Sequence, residues 1–261
     1  MVNSSLTPRR VVTAVTLALL VSLSGCSTPG SSLRATKKGS HASETAVLQE
    51  AGTAPAEAGV YERRIADYEA HPEYRYSHAR RITYVDALLH RGHARKAVQE
   101  LVETELSFPD AYLNAVYLGL AYEIMGDLKS ARHWVARSIE RNVDARSGSE
   151  WLHLAMIDAR LALAKDPEWL RKHSVLENNT HRTAEEILNA IRIQLAVRGD
   201  FGLQPDLVVC DLYFEAGICA PSLAARQDYF AHSLELSTLR RPEIERQEKI
   251  RARAHASVNI H

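Results

Sequence analysis

The 261-residue sequence predicts an all-α protein built as a stack of antiparallel helix pairs. Three observations predict it. The first is a 34-residue period: Tyr84 and Leu118, Leu88 and Tyr122, Gly92 and Gly126, Ala97 and Ala131, Leu101 and Val135, Thr104 and Ser138 match in size or chemistry. The second is helical spacing within a unit. Apolar residues recur at three and four from Asp110 to Met125, Gly126-Asp127 breaks the run, and the spacing resumes from Leu128 to Ile139. The third is Gly119, set inside a helix where glycine costs about 1 kcal/mol relative to alanine. Gly119 and Ala131 are both small, so two helices can approach closely across the turn, and the packing gained offsets the cost.

Composition fits this class and removes others. The chain is 46% apolar and 25% charged, the balance of an ordinary globular protein rather than a disordered or fibrous one. Basic and acidic residues are equal at 32 each, so no net field draws the chain to nucleic acid, and no nucleic-acid role is expected.

Taken in chain order, Arg9 and Arg10, an apolar run from Val11 to Leu23, and Leu23-Ser24-Gly25-Cys26 mark residues 1–25 as an export signal. The run is shorter than the roughly 20 residues of a permanent membrane span. Its end resembles the lipobox of bacterial lipoproteins. That resemblance implies lipidation at Cys26, a membrane anchor, and, because Ser27 rather than Asp follows, an outer-membrane location facing the periplasm. Pro8 before the arginine pair and the absence of Phe-Leu-Lys after it argue against a twin-arginine signal. Residues 26–58 are rich in Ser, Thr, Ala and Gly and read as a tether reaching roughly 30 Å.

The helical domain is expected over residues 59–239. Its first unit, about His78 to Ala111, carries Val85 where the second carries Gly119, so its helices should pack less closely. Pro109 separates the two units. A third begins near Gly148 with Trp151-Leu152-His153-Leu154-Ala155, but the register fails at Lys165 and Asp166-Pro167. Thr183 with Glu186 three residues on predicts a capping box and a helix to about Arg198. A last pair is expected from Asp206 to Ala216, a turn at Gly217, and Ser222 to Ser237, with Ala225 and Tyr229 echoing Ala131 and Val135. Residues 240–261 read as a polar C-terminal helix or tail that caps the array.

The set Leu118-Gly119-x-x-Tyr122, Gly126, Ala131, Val135 and Ser138 resembles the tetratricopeptide repeat. The likeness covers roughly residues 60–240 and is strong over 78–145. It implies a right-handed superhelix, an α-solenoid, whose first helices line a concave groove for a partner protein or peptide. On the helix from Ala111, one face holds Ala115, Leu118, Gly119 and Tyr122, assigned to packing within the array. The other holds Leu113, Tyr117, Leu120 and Ile124, and a helix apolar all round is normally covered on all sides. Two readings compete. Either neighbouring helices or the segment before Tyr76 cover this face, or it lines the groove beside Ile82, Asp86 and His90. Some family members clamp a terminal carboxylate with Lys, Asn and Arg where this chain has Ile82, Asp86 and Tyr117, which implies an apolar or helical ligand instead.

No motif for catalysis, phosphate binding or metal binding is legible, so no catalytic residue, metal or small-molecule cofactor is expected. His90 and His93 flank Gly92 and read as surface histidines. Asp86 and Glu123 read as solvated or paired carboxylates. Cys210 and Cys219 would lie about 13 Å apart along one helix, beyond the roughly 7 Å a disulfide spans, so both are expected as free thiols, Cys210 buried and Cys219 in a turn. The expectation for function is a lipid-anchored adaptor or assembly factor binding an unidentified protein, resembling the class of tetratricopeptide lipoproteins that includes secretin pilotins and a subunit of the β-barrel assembly machine. The alternatives are an obligate structural subunit of an envelope complex and an α-superhelical cell-wall enzyme.

Overall fold

The computed structural model describes residues 59–248. Cys26, the export signal, the tether and residues 249–261 lie outside the described residues. Within them the chain forms helices and turns and no strand. The helices are α1 (Val60–Ala70), α2 (His78–His90), α3 (Ala94–Ser107), α4 (Tyr112–Ile124), α5 (Leu128–Arg141), α6 (Glu150–Leu163), α7 (Ala184–Asp200), α8 (Leu207–Cys219) and α9 (Leu223–Leu236). Residues 241–248 are also helical. Each helix packs against its neighbours in chain order, giving a solenoid-like stack of antiparallel pairs.

Local chemistry sets the boundaries. Side-chain caps from Ser77, Asp127, Asp206 and Ser222 accept backbone N–H groups at the starts of α2, α5, α8 and α9. Thr183 and Glu186 form the full capping box of α7. The turns after α2 and α4 are alike. In the second, the Gly126 N–H donates to the Glu123 carbonyl at 2.9 Å and the Asp127 N–H to the Tyr122 carbonyl at 2.9 Å, with Gly126 at φ 78°. Equivalent helices start 34 residues apart, α2 and α4 at His78 and Tyr112, α3 and α5 at Ala94 and Leu128.

Two glycines set how closely the pairs approach. A Cβ on Gly119 would lie 2.6 Å from Val135 Cγ2 and 3.3 Å from the Val135 backbone nitrogen, so α4 and α5 touch nearly backbone to backbone. The facing residue is Val135 rather than Ala131. Gly217 behaves the same way in α8: a Cβ there would fall 2.3 Å from Phe230 Cε1 on α9. Gly217 is therefore no turn. The helix runs on to Cys219 and the chain reverses at Ala220 and Pro221, so the glycine admits a neighbouring ring instead of breaking the helix. Among the described residues these two pairs are the most closely packed, and α2 with α3, which has Val85 in place of a glycine, packs less closely, as expected.

Gly217→Ala is expected to destabilise the protein although alanine is the better helix former. The gain of about 1 kcal/mol in propensity is opposed by overpacking of about 1–3 kcal/mol against the buried Phe230 ring. Urea unfolding of the variant tests this, and a raised midpoint would refute it.

The repeat loses register after α5. Residues 142–149 form an added bend in which Arg146 (φ 48°) and Ser147 (φ 54°) both take the left-handed conformation that non-glycine residues rarely adopt. The helix that would pair with α6 is replaced by an irregular segment, residues 164–182, containing a 3-10 turn at Trp169–Arg171. The core runs in two large clusters. One centres on Ile82, Leu88, Leu101, Leu113, Leu118 and Leu120, the other on Leu152, Met156, Ile191 and Leu212. Ile157 packs with Ala131 and Val135 between α5 and α6. Past residue 239 the core continues, because Ile244 is buried against Phe214 and Phe230. Cys210 is buried with its thiol donating to the Ser233 carbonyl at 3.3 Å, Cys219 is half-buried at the end of α8, and both are free.

Candidate functional site

The residues proposed to line an open groove lie on the inner helices α2 and α4, and the structure fills the space in front of them. Ile82, Asp86, Leu113, Tyr117 and Leu120 are all buried, Tyr117 being only 2% exposed, and Ile124 is half-buried. They are not an open groove. Of the two readings of the second apolar face, coverage is the one observed, and two segments provide it. From one, α1, come Tyr61, stacked on His90, and Arg64, beside Asp86. From the other, the C-terminal end of α7 and the turn after it contribute Val197, Phe201 and Leu203.

His90 also differs from its expected surface position. Its imidazole stacks on Tyr61 of α1 at 4.1 Å between ring centroids and meets Phe201 at 4.2 Å, and its side chain is almost wholly covered. His93 is exposed as expected. The cover over His90 comes from residues 29 before it and 111 after it, which no local pattern could reveal.

Under this cover lies a line of buried charge. At the α2 end, Asp86 accepts a hydrogen bond from the Tyr117 hydroxyl at 3.2 Å and lies 3.6 Å from both His90 Nδ1 and Arg64 Nη1. Its Oδ2 accepts no hydrogen bond. Burial pushes the Asp86 carboxyl up to about 6, against the pull of His90, Tyr117, Arg64 and Arg146.

At the α6 end, His153 sits between two carboxylates, with Nε2 2.7 Å from Glu123 and Nδ1 3.1 Å from Glu150. Glu123 also accepts from Arg160 at 2.8 Å and from Arg198 of α7. Arg146 Nε lies 3.4 Å from Glu150, so the left-handed bend after α5 delivers a guanidinium to a carboxylate that is 1% exposed. Burial opposes ionisation of Glu123, but His153, Arg198 and Arg160 together overcome it and hold its carboxyl down at about 2. Burial likewise works against the charged form of His153, and the two flanking carboxylates outweigh it and raise the imidazole above its ordinary value.

Chemically this cluster is a closed lock. Each member is engaged by another, and only Arg64 and Arg160 reach partly to solvent. Its most distant tie is Arg198 to Glu123, which fastens α7 across the inner faces of α4 and α6, and Gln194 adds hydrogen bonds to the Ser149 hydroxyl and carbonyl. Among the described residues no group of His, Cys, Asp and Glu is arranged to hold a metal ion, and no helix is long and apolar enough to cross a membrane. Arg198, His153, Glu150 and Arg146 were not singled out from the sequence. The one available signal was His153 inside the apolar run Trp151-Leu152-His153-Leu154-Ala155, a polar residue at a position patterned for burial.

Comparison with known protein families, with curated proteins and with solved structures found no match. What the fold itself defines is an all-helical, solenoid-like stack of helix pairs whose inner face is occupied by a helix of the same chain.

Proposed function

We propose that the protein is a lipid-anchored scaffold or adaptor of the bacterial cell envelope, fixed to the outer membrane through Cys26 and holding another protein on its helical stack. One observation carries the reading. The inner face of α2, α4 and α6 accepts a helix end through apolar contacts to Val197, Phe201 and Leu203 and a guanidinium received by Glu123. That is the chemistry by which a helix-pair array takes up a helical ligand. Stacked helix pairs of this kind present extended surfaces for binding. The sequence Leu23-Ser24-Gly25-Cys26 supports the anchor, and in this reading α7 and the partner compete for one face.

The test is crosslinking and pull-down from intact cells with the acylated protein, comparing the native chain with Phe201→Ala, Leu203→Ala and with Cys26→Ser. The double variant loosens the α7 end while leaving the Arg198–Glu123 tie in place, and a several-fold gain in capture of the same partner is expected. Unchanged capture would place the partner elsewhere on the molecule. Cys26→Ser is expected to leave the membrane fraction, and its retention there would reject the lipid anchor.

A further inference from the structure

The segment that replaces the missing helix after α6 encloses a second feature. Between α5, α6 and residues 164–182 lies a cleft of about 250 Å³. Two of the chain's three tryptophans line it, Trp151 from the start of α6 and Trp169 from the 3-10 turn. Each indole is braced on one face by the irregular segment: Arg182 lies 4.1 Å from the Trp151 ring centroid, and His173 stacks on Trp169 at 4.8 Å.

The polar lining is of a particular kind. Asp158 and Glu177 bring carboxylates, one paired with Arg132 at 2.5 Å and the other with His173 at 2.7 Å. Asn178, exposed at the rim, and Asn179, half-buried, bring carboxamides that make no hydrogen bond to another described residue. A carboxamide offers two donors and an acceptor. The cleft therefore combines rigid aromatic surface with groups that both give and take hydrogen bonds, the mixed lining of a small-molecule site.

The size and charge narrow the ligand. At about 250 Å³ the cleft lies just below the roughly 300–1,000 Å³ usual for small-molecule sites, a size that suits a single small ring. An anion would meet two carboxylates. A purely apolar side chain would cover the half-buried Asn179 carboxamide without pairing it, at a cost of about 1–3 kcal/mol. A pyranose ring meets both demands, with C–H faces for the indoles and hydroxyls for Asn178, Asn179 and the carboxylates.

We propose that this cleft binds one neutral pyranose ring of a saccharide, stacked against Trp151 and Trp169 and hydrogen-bonded by Asn178 and Asn179. The site is separate from the inner face and stands whether or not the adaptor reading does. The experiment is titration of the protein with cellotriose and with chitotriose, read by intrinsic tryptophan fluorescence and confirmed by calorimetry, with N-acetylphenylalanine amide as an apolar competitor. The expected result is a saturable emission change with at least one oligosaccharide at a Kd of about 1 mM or tighter. Asn178→Ala with Asn179→Ala should weaken it at least tenfold with helicity unchanged, since both residues lie in the irregular segment outside every helix. Trp151→Phe should reduce the fluorescence response, while calorimetry reads any binding that remains. No saturable response to either saccharide overturns the proposal. So does a response to the phenylalanine amide alone, or saccharide binding that the double Asn variant leaves intact.

Discussion

Glu123→Ala is expected to destabilise the fold by about 3–5 kcal/mol, the loss typical when one partner is removed from a buried ion cluster. The reason lies in what would remain. Glu123 receives His153, Arg160 and Arg198 at once; after its deletion His153 keeps Glu150 and Arg160 keeps Asp206, but the buried Arg198 guanidinium loses its carboxylate partner. Truncation also frees the α7 end, and the apolar contacts of Val197, Phe201 and Leu203 weaken with it. Glu62→Ala is the proper control. Glu62 pairs with Arg91 at 2.9 Å with both side chains about half exposed, and such a pair is worth only about 0–1 kcal/mol. Urea unfolding of both variants separates the cases, and equal losses would show that the inner cluster contributes no more than a surface pair.

The second large effect is a stability profile skewed to the acid side of neutral. Asp86 has its carboxyl raised from the ordinary 3.8 to about 6, so the folded state holds that proton more tightly than the unfolded chain. Its contribution is present below pH 4 and is lost as pH rises through 6, about 3 kcal/mol at 1.36 kcal/mol for each pH unit. His153 acts in the same direction at higher pH: with its value raised above 6.5, the stability it provides is full below 6.5 and falls as pH climbs through the raised value. Glu123 acts oppositely. Held at about 2, it contributes stability above its unfolded value of 4.5 that disappears as pH falls toward 2. The maximum is therefore expected near pH 4 to 5. Asp86→Asn keeps an oxygen to accept the Tyr117 hydroxyl and removes the titration, so the decline between pH 4 and 6 should flatten. Chemical unfolding at a series of pH values checks this, and a native maximum at pH 8 would contradict it.

The parts of the fold that depend on residues a few positions apart were legible. The turn glycines, the caps at Asp127 and Thr183, the paired helices from His78 to Arg141 and the close approach at Gly119 all follow from spacing within one or two units. Gly217 was misread for an instructive reason. A glycine near the end of an apolar run signals either a break or a close approach, and only the position of Phe230 on the next helix distinguishes them. The inner face was misjudged because its cover is remote. Tyr117 looks like a groove residue until α1 and α7 are in place, and the partner of Glu123 lies 75 residues further along the chain. Buried charge escaped notice as well, since Arg198 stands at the expected end of its helix and Arg146 and Glu150 beside the start of the third unit, where no apolar period marks burial.

That 75-residue tie has a consequence for how the molecule comes apart. An array whose units touch only their neighbours unfolds approximately piecewise, each interface adding its own increment, and its ends fray first. Here Arg198 and Phe201 bind helices three to five elements earlier in the chain, so α7 cannot detach without uncovering α2, α4 and α6 together. The contact raises the loop-closure entropy of folding and slows it. In exchange the middle of the stack behaves as one cooperative block, whose opening to any competitor is nearly all-or-none.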